Sequence, residues 1–215
     1  MNTHVLSLFI AIPCFALAAA GSARAQVWVN ELHYDDTGTD AGEFVEVVAP
    51  ASLTDLGSVR LTLYNGGDGK PYGSSHLLNS FTPGVTVSGL RFYSKLIPGL
   101  QNGAPDGLAL DISGSVVQFV SYEGAFAAST GPAAGILSLD MGVSESDATA
   151  AGTSLGLVGT GSAAAAFTWA AGMLESPGAP NPGQSLIPEP RSYGFAAGIV
   201  LAGWLAWRRR RRLAA

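Results

Sequence analysis

Between Val27 and Trp169 the apolar residues come in short runs, and within most runs they alternate with polar ones: VWVNELHY, EFVEVV, SVRLTLY, GLRFYS, GLALDI, SVVQFVSY, SLGLVG and AFTWA. A period of two sends successive side chains to opposite faces of a strand, whereas an amphipathic helix would repeat every three to four residues. In VWVNELHY the alternation predicts Trp28, Asn30, Leu32 and Tyr34 on one face and Val27, Val29, Glu31 and His33 on the other. In EFVEVV it sets Phe44, Glu46 and Val48 against Glu43, Val45 and Val47. Asn65-Gly66-Gly67-Asp68-Gly69, Pro105-Asp106-Gly107 and Ser113-Gly114 supply the positive-φ positions that tight turns need. Many short strands joined in this way predict an all-β sandwich or barrel. The stretch 26–187 is long enough for one domain with a core of its own.

The two ends follow a different pattern. Val5 to Ala20 is almost wholly apolar, and Ala23-Arg24-Ala25 then offers the small-x-small pattern that a signal peptidase accepts. Residues 1–25 are therefore expected to be a signal peptide cut between Ala25 and Gln26, with an uncleaved anchor as the alternative. Cys14 would leave with it, so no disulfide is expected in the mature chain. Near the other end, Tyr193 to Trp207 is uncharged and Arg208, Arg209, Arg210, Arg211 and Arg212 follow directly. As a helix those fifteen residues would span roughly 22 Å, short of a ~30 Å hydrocarbon core. Trp204 and Trp207 suit the interface and the arginines can snorkel, so a single transmembrane helix is expected, with its arginines cytoplasmic and the body outside.

The formal net charge of −5 conceals a division. Six of the eleven cationic residues lie at Arg191 and Arg208 to Arg212 and a seventh is Arg24. Residues 26–187 thus hold four cations against fifteen carboxylates, a charge of −11. Such a body repels phosphate backbones, and no nucleic acid is expected as a partner.

Immediately before the apolar segment stands Pro188-Glu189-Pro190, which cannot be helix interior. This triplet, followed by a short apolar helix and an arginine cluster, resembles the PEP-CTERM sorting signal of Gram-negative bacteria. The resemblance implies an exosortase partner that recognises Pro188, Glu189 and Pro190, cuts near them and passes the body to the cell surface or an extracellular polysaccharide matrix. A plain membrane anchor with a proline-rich stalk is the simpler alternative. The body has its own resemblance. VNELHYDDTGTDAGEFVEVVAP followed by LTLYNG, with QNGAPDGLALDISGSVVQFVSYEG and GPAAGILSLDMGVSESDATAAGTSLGLVGTG further on, resembles the lamin-tail-like domains of secreted bacterial nucleases. That implies an immunoglobulin-like β-sandwich over residues 26–170, a Pro/Gly linker over 171–187 and the sorting signal over 188–212. The catalytic domain that follows such sandwiches in the nucleases is not expected here, because Trp169 leads through the linker straight into the tail.

Asp35, Asp36, Asp40 and Glu43, flanked by Glu31 and Glu46, form the densest group of hard oxygen ligands and suit calcium, which takes six to eight oxygens. Their spacing is not that of an EF-hand, so a weak calcium site or a solvated turn is expected. Gly152-Thr153-Ser154-Leu155-Gly156 fits the G-x-S-x-G nucleophile pattern, but that elbow belongs between a strand and a helix with a later histidine, and no histidine follows His76. His33 and His76 would share a metal only if the fold brought their strands together. The glycines before Lys70 fail the phosphate-loop pattern, since Tyr64 and Pro71 stand where it needs glycine and a hydroxyl. Trp28, Tyr34, Tyr64, Tyr72, Tyr122 and Trp169 could include a sugar-stacking platform, although aromatics in sandwiches more often fill the core. No catalytic constellation is expected, and the body reads as a binding or structural module, with polymer hydrolysis by paired carboxylates as the alternative.

Overall fold

The computed structural model describes residues 27–39, 41–103 and 105–188. Among the described residues twelve strands run in chain order: β1 Trp28–His33, β2 Phe44–Pro50, β3 Val59–Asn65, β4 Lys70–Leu77, β5 Thr82–Val87, β6 Leu90–Leu96, β7 Asp106–Ile112, β8 Ser115–Tyr122, β9 Leu139–Asp140, β10 Thr153–Gly161, β11 Thr168–Leu174 and β12 Gln184–Leu186. They form two sheets. One has the order β11-β10-β1-β2-β6-β5, with β12 added along β10, and the other β4-β3-β7-β8-β9. The described residues thus form an all-β sandwich. Among the described residues no helix is long and apolar enough to cross a membrane. The expected signal-cleavage residues Ala23, Ala25 and Gln26, and the tail from Glu189 onward, lie outside the described residues, as does Asp40.

The main core fills the space between the sheets with Val29, Leu32, Tyr34, Val45 and Val47 from one side and Leu61, Leu63, Leu108, Leu110 and Val120 from the other. Its far end is closed by Tyr34 stacked on Tyr122, with ring centroids 4.0 Å apart. Trp28, Tyr34, Tyr64 and Tyr122 are fully buried, as aromatics in a sandwich core are. Asn65 to Gly69 and Ser113-Gly114 turn the β3–β4 and β7–β8 hairpins, with positive φ at Gly69, Ser113 and Gly114. Asp106 and Gly107 are not a turn but the first residues of β7.

Strict alternation fails at one place that matters. On β2 the faces fall as the pattern predicts, with Val45 and Val47 in the main core and Val48 on the opposite side. On β1 the pairing runs Trp28 to Val48 and Val29 to Val47, then slips, so that Glu31 stands opposite Glu46 and Leu32 opposite Val45. Asn30 is the extra residue of a β-bulge, and an extra residue swaps the faces of everything after it. Leu32 and Tyr34 therefore join Val27 and Val29 in the core, while Glu31 and His33 move to the outer face with Trp28.

That outer face is also buried. The chain from Glu175 to Ile187, expected as part of a linker, crosses back over it as a strap. β12 pairs in parallel with Gly159 to Gly161 of β10, and Leu186 packs in a second cluster with Trp28, Val48, Leu90, Phe92, Leu157 and Phe167.

Candidate functional site

Glu31 and Glu46 meet on the outer face because the bulge brings one there and the alternation of β2 brings the other. Directly opposed residues in an antiparallel pair have Cβ atoms ~5 Å apart. Both carboxyl groups are fully buried beneath the strap. Glu31 Oε1 accepts the Ser154 hydroxyl at 2.6 Å and the Ser176 N–H at 3.0 Å. Glu46 Oε1 accepts Asn30 Nδ2 at 2.9 Å, and its Oε2 accepts the Gly178 N–H. Asn181 Nδ2 donates to the carbonyls of Asn30 and Leu157 at 3.0 and 2.9 Å, and Gln184 Nε2 donates to Asn30 Oδ1 at 2.7 Å. Both glutamates, the Asn30 side chain and the Asn30 and Leu157 carbonyls are thereby given partners from the strap itself.

Two glycines make the close crossing possible. A Cβ on Gly84 would lie 2.1 Å from the Gly178 carbonyl oxygen, and one on Gly156 would lie 2.6 Å from Asn181 Nδ2. Gly156 is the last residue of the G-x-S-x-G match. Its glycine admits the strap, its Ser154 is buried as a donor to Glu31, and both lie within β10, with no strand-to-helix elbow.

The protonation of the pair follows from burial and from donor counting. Burial pushes Glu46 up to about 8, against the N–H groups of Asn30 and Gly178 and with the neighbouring Glu31 adding to the rise. Burial likewise raises Glu31 above the ordinary carboxylate range. The Ser176 hydroxyl lies 3.1 Å from Glu31 Oε2 and 3.1 Å from Asn181 Oδ1, both acceptors. Its one proton cannot serve both. The arrangement closes when Glu31 carries a proton on Oε2 and donates it to Ser176, which then donates to Asn181. Glu46 meets N–H donors at both oxygens and is nonetheless raised the further of the two by its burial.

Further along the same face, His33 Nδ1 lies 3.1 Å from Glu145 Oε1, and the other Glu145 oxygen accepts the N–H groups of Tyr34 and Asp35. The Glu145 hydrogen bond raises the His33 pKa above its ordinary value against the opposing effect of burial, and Asp36 stands 3.9 Å from Nε2. The acidic loop is thus no solvated turn at its root. Asp35, Asp36 and Glu43 are buried, with Glu43 accepting the Gly99 N–H, while Thr37 to Thr39 are exposed. Among the described residues no three His, Cys, Asp or Glu side chains are arranged to hold a metal ion. His33 and His76 lie in different sheets, on β1 and β4.

An open groove of about 380 Å³ lies beside the strap, lined by Phe44, Thr82, Ser94, Lys95, Glu175 and Pro177 among others. It offers two hydroxyl groups and one charge of each sign over an apolar floor. Of the expected sorting residues only Pro188 is described, exposed and one residue beyond the last sheet hydrogen bond, Ile187 N–H to the Gly161 carbonyl.

The pattern of the strands did not reveal Asn30 as a bulge, Glu145 as the partner of His33, or Ser176, Gly178, Asn181 and Gln184 as ligands of buried groups. The one sequence signal for the strap was its two amide side chains, Asn181 and Gln184, among prolines and glycines. No family model, curated protein or solved structure matches this chain.

Proposed function

We propose that this is an exported, exosortase-processed surface or matrix protein of a Gram-negative cell, whose immunoglobulin-like, lamin-tail-like body acts as a binding or structural module associated with exopolysaccharide or biofilm. The order of the sequence features supports export and sorting: an apolar start ending in Ala23-Arg24-Ala25, then Pro188-Glu189-Pro190, an uncharged segment and five arginines. Signal peptidase and an exosortase are the processing partners, and the inner membrane is a transient one.

The observation that carries the non-enzymatic reading is the state of Glu31 and Glu46. They are the carboxylates a hydrolase would need side by side, yet both are fully buried and held by the strap's own donors. The groove beside them, with the Thr82 and Ser94 hydroxyls, Lys95 and Glu175, is the surface where a polymer hydroxyl could bind.

A hydrolase remains the second reading because a carboxyl raised to about 8 beside another carboxyl has the chemistry of an acid–base pair. Mass spectrometry of the C-terminus of cell-derived protein tests the first reading, with an end near Pro190 expected. A chain still ending at Ala215 would exclude the sorting step. Release of soluble sugar from extracellular polymer by the purified body, lost in Glu46→Gln, would replace the binding module with the hydrolase.

A further inference from the structure

The strap fixes where the sorting triplet can be. β12 is bonded to β10 up to Ile187, Leu186 is buried, and the Ser88 hydroxyl donates to the Leu186 carbonyl at 2.7 Å. Only residues 188–192 separate this anchored strand from Tyr193, where the uncharged segment begins. Five residues reach at most ~17 Å when fully extended. The body therefore has almost no slack relative to whatever holds that segment.

The chain also enters and leaves at one pole. Trp28, at the start of β1, packs in the same cluster as Leu186, whereas Tyr34 and Tyr122 close the opposite end. The two poles differ in charge. At the Trp28 pole of the larger sheet, residues 48–52, 86–91, 158–168 and 184–188 contain no carboxylate and one cation, Arg91. The smaller sheet adds Asp55 and the Arg60–Asp111 ion pair, 3.1 Å apart. The opposite pole gathers Asp35, Asp36, Glu43, Glu145, Asp147 and Glu175 against Lys95.

We infer that, while its C-terminal segment is in the bilayer, the sandwich sits with its Trp28–Leu186 pole against the lipid surface and its acidic pole pointing away. This rests on the membrane-segment reading above. The tether sets the distance, and charge selects the orientation, since an anionic lipid surface repels carboxylates within a Debye length of ~8 Å but not a near-neutral pole. The acidic pole lies further out by the length of β1, six residues or ~20 Å.

The test uses the mature chain, residues 26–215, which holds no cysteine of its own, in vesicles of phosphatidylethanolamine and phosphatidylglycerol carrying a headgroup energy acceptor. Single cysteines at the exposed positions Ala51→Cys and Ala165→Cys report the near pole, and Thr37→Cys and Ala148→Cys the far one. Energy transfer at least twofold higher from 51 and 165 is expected, and inserting twenty Gly/Ser residues between Ile187 and Pro188 should erase the contrast. Equal or reversed transfer from vesicle-bound chain would overturn the inference alone, and so would a contrast that survives the spacer. A chain that does not float with the vesicles would overturn the membrane reading and the orientation with it.

Discussion

Glu31 and Glu46 face each other across β1 and β2 with both carboxyl groups out of solvent, and each accepts a backbone N–H from the strap that leads to Pro188. This pair joins the strap to the sheet. Its chemistry sets the first two predictions.

Both acids titrate above their unfolded values, so the protonated forms favour the fold. That stability is fully present below pH ~4.5 and is lost as the pH rises through about 8, the folded value of Glu46. His33 and Asp106, also raised, act in the same direction. Urea unfolding of residues 26–188 should give a lower midpoint at pH 8.5 than at pH 5, by a free energy on the order of a few kcal/mol. Equal or greater stability at pH 8.5 would contradict the burial of the pair.

The two acids should respond differently to amide substitution. In Glu31→Gln the new NH₂ can donate to the Ser176 oxygen, so stability near pH 6 should change little while its pH dependence shrinks. In Glu46→Gln an NH₂ must face either Asn30 Nδ2 or the Gly178 N–H, both donors, at a cost of roughly 1–3 kcal/mol. Thermal melts of both variants at pH 6 check this, and equal losses would refute the donor arrangement around Glu46.

Asn181→Ala should leave the buried carbonyls of Asn30 and Leu157 without this donor and cost roughly 2 kcal/mol or more. Hydrogen exchange should then speed up in residues 176–187 before it does in β2 or β6. Uniform acceleration across the sandwich would show that the strap does not open as a unit.

Truncation tests whether the domain ends at residue 170, as expected, or needs the strap and β12 as well. A body ending at residue 170 lacks the end of β11, the strap and β12, which exposes the Trp28, Phe92 and Phe167 cluster and removes donors from both buried glutamates. Burying Leu186 alone is worth about 2 kcal/mol. Residues 26–188 should melt cooperatively and residues 26–170 should aggregate or lack a transition. Equal melting of the two would demote the strap to a linker.

The eight apolar runs of the body became β1, β2, β3, β6, β7, β8, β10 and β11, because each has residues buried on at least one face and burial demands the period-two pattern. β4 and β5 carry no such pattern. They are edge strands with largely exposed sequences such as KPYGSSHL and TPGVTV, where pairing with a neighbour, not burial of a face, makes the strand.

What the sequence determined by itself was the all-β class, most of the strands and the hairpins at Asn65 to Gly69 and Ser113-Gly114, since these rest on local periodicity and on φ preferences of single residues. Only the tertiary structure decided the rest. A one-residue bulge at Asn30 turned Glu31 from the core face to the outer one, and a segment rich in proline and glycine closed over it from 145 residues away. Neither event leaves a periodic trace, because the hydrogen bonds that hold the strap are satisfied by residues distant in the chain and chosen for position, not for pattern.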